Sequence, residues 1–137
     1  MPLSQNRALS QIFLKSQEYI DRIVKAMGIQ GKNVLEIGPG DGRVTEHILK
    51  QATKVTCVEV DSRFVEELKK RFCQVDTLTV IHSDIRNIPL KPIGSNLVVF
   101  GNVPYHISQD LISYLISQRE YISCAWLTLQ KEFAQKL

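Results

Sequence analysis

The chain has few of the residues that staple small secreted domains or hold structural metals. Its three cysteines, Cys57, Cys73 and Cys124, are odd in number and far apart, and no CxxC pair occurs. That excludes a disulfide framework and points to a reducing compartment. The histidines His47, His82 and His106 show no ligand spacing, so no metal site is expected. No apolar run is long enough to cross a bilayer. The start of the chain lacks the apolar stretch of a signal peptide, and Glu18 and Asp21 come too early for a transit peptide. The expectation is therefore a cytoplasmic protein with no membrane partner. There is no repeat, low-complexity tract or linker. No sign of charge dominates either: 17 basic against 14 acidic side chains leave a net charge of +3, which suits nucleic acid without requiring it.

What is present is an ordinary globular composition, 44% hydrophobic and 23% charged over 137 residues, enough for one domain with a core. The chain is organised around Lys32 to Thr45. Val34-Leu35-Glu36-Ile37 reads as a buried parallel strand, Gly38, Gly40 and Gly42 follow at alternate positions, and Val44, Ile48 and Ala52 then share a helical face. Strand, glycine loop and helix bring backbone N–H groups and a helix N-terminus up to a nucleotide-like ligand.

Before this stretch, Ile20, Ile23, Val24 and Met27 mark a helix capped by Ser16 and stopped by Gly28. After it, strands over Lys54–Val60, Leu78–Ile81, Asn96–Phe100 and Ile122–Leu129 alternate with helical stripes. One stripe, capped by Asp61 or Ser62, turns Phe64, Val65, Leu68 and Phe72 inward; another, capped by Ser108, turns Leu111, Ile112, Leu115 and Ile116 inward. A last helix begins near Glu132. The alternation predicts an α/β doubly wound fold, a parallel sheet with helices on both faces.

Ligands in such sheets sit beyond the carboxyl ends of the strands. Those ends carry Gly38 to Gly42, Glu59, Asp84 and Asn102 to Tyr105. Glu59, about twenty residues past the glycines, can accept both hydroxyls of a ribose. Asp84 can accept an adenine amino group. Asn102 offers a side-chain acceptor and the Val103 carbonyl, fixed by Pro104, a second; together they suit an exocyclic NH₂, and Tyr105 offers a face for a flipped-out base. Two acceptors that draw the hydrogens of an adenine N6 out of plane restore its nucleophilicity toward a sulfonium methyl. Glycines at 38, 40 and 42 depart from the Gly-x-Gly-x-x-Gly dinucleotide fingerprint. A nicotinamide-dependent oxidoreductase would use the glycines and Glu59 but leave Asn102 to Tyr105 idle.

Gln11-Ile-Phe-Leu14, Leu35-Glu-Ile-Gly-Pro-Gly40, Val58-Glu-Val-Asp61, Ser83-Asp84, Phe100-Gly-Asn-Val-Pro-Tyr-His-Ile-Ser108 and Leu129-Gln-Lys-Glu132 together resemble the ribosomal RNA adenine N6-dimethyltransferase family, with the macrolide-resistance rRNA methyltransferases as cousins. The resemblance implies a Rossmann-like, S-adenosylmethionine-dependent methyltransferase fold. It implies a cofactor held by Ile12, Leu14, Gly38, Gly40, Glu59, Asp84 and Asn102, and a target adenine held by Asn102, Val103, Pro104 and Tyr105. It implies dimethylation of adenines in rRNA of the small ribosomal subunit. The chain departs from the family at Ile12, where Asn or His is usual, so a contact there is made by backbone; Ser10 replaces the usual glycine. The family's last sheet strands and its C-terminal helical RNA-binding domain are expected to be missing from residues 1–137, leaving an exposed strand edge and apolar face. A non-catalytic RNA-binding or assembly factor with the same fold is the remaining alternative.

Overall fold

Each apolar run bounded by glycine, proline or aspartate becomes a strand, and each stripe of period 3.6 becomes a helix. The computed structural model describes residues 17–103 and 107–129. In chain order these form α1 (Gln17–Ala26), β1 (Asn33–Ile37), α2 (Arg43–Leu49), β2 (Lys54–Glu59), α3 (Ser62–Arg71), β3 (Leu78–His82), β4 (Leu97–Val103), α4 (Ser108–Ser117) and β5 (Ile122–Leu129). Single 3-10 turns lie at Ile85–Asn87 and Arg119–Tyr121. The sheet runs β3-β2-β1-β4-β5 and every pair is parallel. The strand order reverses between β1 and β4, the switch point where α/β sheets open a crevice. Ile37 pairs with Val58 on one side and Gly101 on the other, and Glu59 pairs with His82, so the carboxyl ends of β1, β2, β3 and β4 finish along one edge.

Side chains alternate across the sheet and build two cores. On one face Val34, Val55, Cys57, Val98 and Phe100 pack under Ile20 and Val24 of α1 and Val44 and Ile48 of α2. On the other, Leu35, Ile37, Val58, Leu97 and Val99 pack under Leu111 and Leu115 of α4, with Ile85 and Leu90. This is the doubly wound arrangement expected. Asp61 caps α3 as expected, its carboxylate accepting from the Arg63 N–H at 2.9 Å.

Three local expectations change. β4 continues past Phe100 to Val103, because Gly101, Asn102 and Val103 stay in the ladder opposite Leu127, Thr128 and Leu129; Asn102 is thus a strand residue, not a turn residue. Ile107, not Ser108, holds the cap position of α4 and makes no side-chain cap bond, while Ser108 is buried in the first turn. Ile116 is not inward but 57% exposed. It lies with Ile112, Leu115, Ile122, Ala125 and Leu127 along an apolar groove of about 300 Å³, because β5 is the outermost strand of the described sheet. The exposed edge and apolar face expected there are present among the described residues. Ser16 and the helix near Glu132 lie outside them.

Candidate functional site

The glycine loop is held from three sides. The Gly38 N–H donates to the Val58 carbonyl at 2.9 Å, which anchors the loop to β2. The Gly40 N–H donates to Glu59 Oε1 at 3.0 Å. Arg71 of α3 donates through Nη1 to the Asp41 carbonyl at 2.8 Å and pairs through Nη2 with Glu46 at 2.6 Å. Gly42 sits at φ 84°, and a Cβ there would come within 2.7 Å of Leu68 and 3.0 Å of Phe72, so only glycine lets α3 pack this closely. At Gly40 the reason differs: φ is 59° and a Cβ would meet nothing within 4 Å, because the residue faces open cleft.

The cleft has two connected lobes. One, of about 480 Å³, lies against Glu36, Asp41, Arg43 and Phe100. The other, of about 380 Å³, lies against Glu59, Val60, Ser83, Asp84, Arg86 and Ile107. Gly38, Gly40, Phe64 and Asn102 line both, so the seam between the lobes is the glycine loop facing the end of β4. The size suits a small-molecule ligand. Backbone completes the seam: a Cβ built on Gly38 would lie 3.8 Å from the Asn102 carbonyl oxygen.

The carboxylates of the site are pre-oriented. Glu59 is buried and accepts two backbone bonds, Gly40 N–H on Oε1 and Asp61 N–H on Oε2, each at 3.0 Å. Each oxygen keeps a second lone pair for a ligand hydroxyl. Asp84 accepts from the Arg86 N–H and from its guanidinium, with Nη2 to Oδ2 at 2.6 Å, and Arg86 also reaches Asp110 of α4 at 3.1 Å. These bonds hold the Asp84 carboxyl below its usual range, and Arg43 does the same for Asp41. Both are therefore anionic at neutral pH.

Glu36 behaves oppositely. It is 1% exposed, with Thr45 Oγ1 donating to Oε1 at 2.5 Å and Cys57 Sγ at 3.6 Å. Burial pushes its carboxyl up to about 7, against the opposing bond from Thr45. The same burial, reinforced by the Glu36 charge, raises the Cys57 thiol well above its usual value and leaves it unreactive.

Of the residues read from the sequence, Gly38, Gly40, Glu59, Asp84 and Asn102 converge on this cleft, and Val103 ends the strand beside it. Ile12, Leu14, Pro104 and Tyr105 lie outside the described residues. Glu36, Phe64 and Arg86 also line the cleft, and the sequence reading does not place them there. A glutamate inside an apolar strand was the available signal for Glu36; Arg86, two residues past a capping aspartate, had only that spacing. Among the described residues no group of His, Cys, Asp and Glu could hold a metal ion, and no helix is long and apolar enough to cross a membrane.

A family model, ribosomal RNA adenine dimethylase, matches residues 3–137. A ribosomal RNA small subunit methyltransferase A from Acidobacterium capsulatum is 34% identical over 94% of this chain and 47% of its own. Among solved structures, a dimethyladenosine transferase from Plasmodium falciparum is 38% identical with a TM-score of 0.74, covering 85% of this chain and 42% of that one. The 23S rRNA methyltransferase ErmE has a TM-score of 0.80 at 27% identity, covering 90% and 50%. The chain spans about half the length of the curated relatives it matches. These matches bear out the resemblance read from the sequence and do not favour the oxidoreductase alternative. With its parallel five-stranded sheet, glycine loop and strand-end carboxylates, the chain belongs to the ribosomal RNA adenine dimethylase family.

Proposed function

We propose that residues 1–137 form the S-adenosylmethionine-binding domain of an enzyme that methylates the N6 of adenines in rRNA, with the small ribosomal subunit as partner and the cytoplasm as location. The observation that carries this reading is Asn102 at the seam of the two lobes, near the carboxyl end of β4, with its backbone carbonyl toward Gly38. The cofactor fits the donor set: Glu59 offers two oxygens to a ribose diol, and Asp84, turned by Arg86, offers one oxygen to an adenine amino group. Gly38, Gly40 and the Asn102 carbonyl would border its amino-acid end, and the family resemblance adds backbone at Ile12 and Leu14. When bound, the cofactor supplies an electrophilic methyl on a sulfonium.

The protein's own part is position and electrostatics. The Asn102 amide oxygen and the Val103 carbonyl are the acceptors for the two N6 hydrogens, with Pro104 fixing the second and Tyr105 stacking on the base. No strong general base is required, because the reacting nitrogen needs alignment more than deprotonation. Labelled methyl transfer from S-adenosylmethionine to small-subunit rRNA tests the reading. The wild-type chain should label adenine N6 and Asn102→Ala should fail. A chain that binds cofactor and rRNA without transfer would favour the assembly-factor alternative.

A further inference from the structure

β4 and β5 run in register, Phe100 opposite Trp126 and Asn102 opposite Thr128, so these four side chains lie on one face of the sheet. This is the face that α1 and α2 cover nearer the centre; out at β5 no described helix lies over it, and Trp126 is 41% exposed. Asn102 is itself exposed. An exposed asparagine rotates freely about its last bond and presents oxygen or NH₂ to the same place with little difference in shape. Here it is not free to do so. The Thr128 hydroxyl donates to Asn102 Oδ1 at 2.5 Å, and among the described residues no other hydrogen bond holds that side chain.

We infer that Thr128 is a positioning residue, which fixes the plane of the Asn102 carboxamide so that the second lone pair of its oxygen meets the amino group of the target base; this rests on the methyltransferase reading above. An amide oxygen has two acceptor sites, so the Thr128 bond and a base N6–H are compatible on one atom. The bond costs the base nothing and removes a rotation that would otherwise be stopped only when the base arrives. The cofactor is indifferent to it, because the cofactor side of Asn102 is the backbone carbonyl facing Gly38. Thr128 therefore acts on the base and not on the methyl donor.

The test compares the full chain with Thr128→Val, which keeps the shape and loses the hydroxyl, and Thr128→Ser, which keeps the hydroxyl. Three quantities are read: S-adenosylmethionine affinity by calorimetry, single-turnover methyl transfer to small-subunit rRNA, and the ¹⁵N heteronuclear NOE of the Asn102 side-chain amide in the free protein. The valine variant should bind cofactor within twofold of wild type, transfer methyl three- to tenfold more slowly, and show a more mobile Asn102 amide. Serine should restore both rate and amide order. Equal rates and equal amide order in all three proteins would overturn the inference. So would a valine variant that loses cofactor affinity in step with rate, which marks a merely structural role. A folded wild-type chain that transfers no methyl would instead count against the proposed function, and the amide signal would still decide whether Thr128 holds Asn102.

Discussion

Glutamine at position 59 is the sharpest perturbation of the site, because it exchanges one acceptor for a donor and breaks one of a specific pair of bonds. Glu59 accepts the N–H groups of Gly40 and Asp61, one on each carboxylate oxygen, at 3.0 Å, with 5% of the residue exposed. A glutamine has one acceptor and one NH₂ in that place, so one of the two N–H groups must face another donor. Losing a largely buried bond to a charged group costs about 1.5–3 kcal/mol. The penalty falls on the unliganded protein, since both donors are backbone of the same chain. With an m-value of about 1–3 kcal/mol per molar urea, the unfolding midpoint of Glu59→Gln should drop by roughly 1 M. S-adenosylmethionine affinity should fall by a further tenfold to a hundredfold, because the ribose loses one of its two charged acceptors. Urea unfolding followed by circular dichroism measures the first effect and calorimetry the second. A variant within about 0.5 kcal/mol of wild type in stability, a margin ordinary for surface changes, would refute the reasoning that Glu59 is the strut of the glycine loop.

Two other perturbations follow from the same geometry. Glu36 ionises near 4.5 in the unfolded chain but is pushed up to about 7 by burial in the folded one, so folding favours its protonated form. Its effect is absent below about pH 4.5; stability is then lost as pH rises toward 7, by roughly 3 kcal/mol at ~1.4 kcal/mol per pH unit, and stays lost above that. Thermal melts of Glu36→Gln against wild type from pH 4 to 8 should therefore show the variant gaining relative stability as pH rises, and parallel curves would contradict the assignment. Gly42→Ala forces a left-handed backbone on a side chain and drives a methyl into Leu68 at 2.7 Å, so it should lower stability by about 2 kcal/mol or more; an unchanged melting temperature would show that α3 is not packed on the loop.

Much of this was legible in the sequence, and the limits have physical causes. The five strands and the glycine loop declare themselves because buried parallel strands are continuous apolar runs and the turns between them need glycine or a capping aspartate. Glu59, Asp84 and Asn102 were legible for the same reason: the fold class alone says that strand ends meet the ligand. Their partners were not. That Asp84 is gripped by Arg86, or that Asn102 shares a bond with Thr128 across 26 residues of chain, depends on register, which residue order does not encode. Ile116 is exposed despite its place in the stripe, because a helical stripe says which residues face the sheet, and not whether a further strand covers the last of them.

The central claim is that the cleft between the glycine loop and Asn102 is a site for S-adenosylmethionine. Calorimetric titration of the chain with that cofactor, and separately with NAD, tests it directly, with a thermal melt of the same sample to establish that the protein is folded. Stoichiometric binding of S-adenosylmethionine is expected, with affinity tenfold to a hundredfold weaker in Glu59→Gln and no competition from NAD. A folded chain that preferred NAD, or that bound neither, would contradict it.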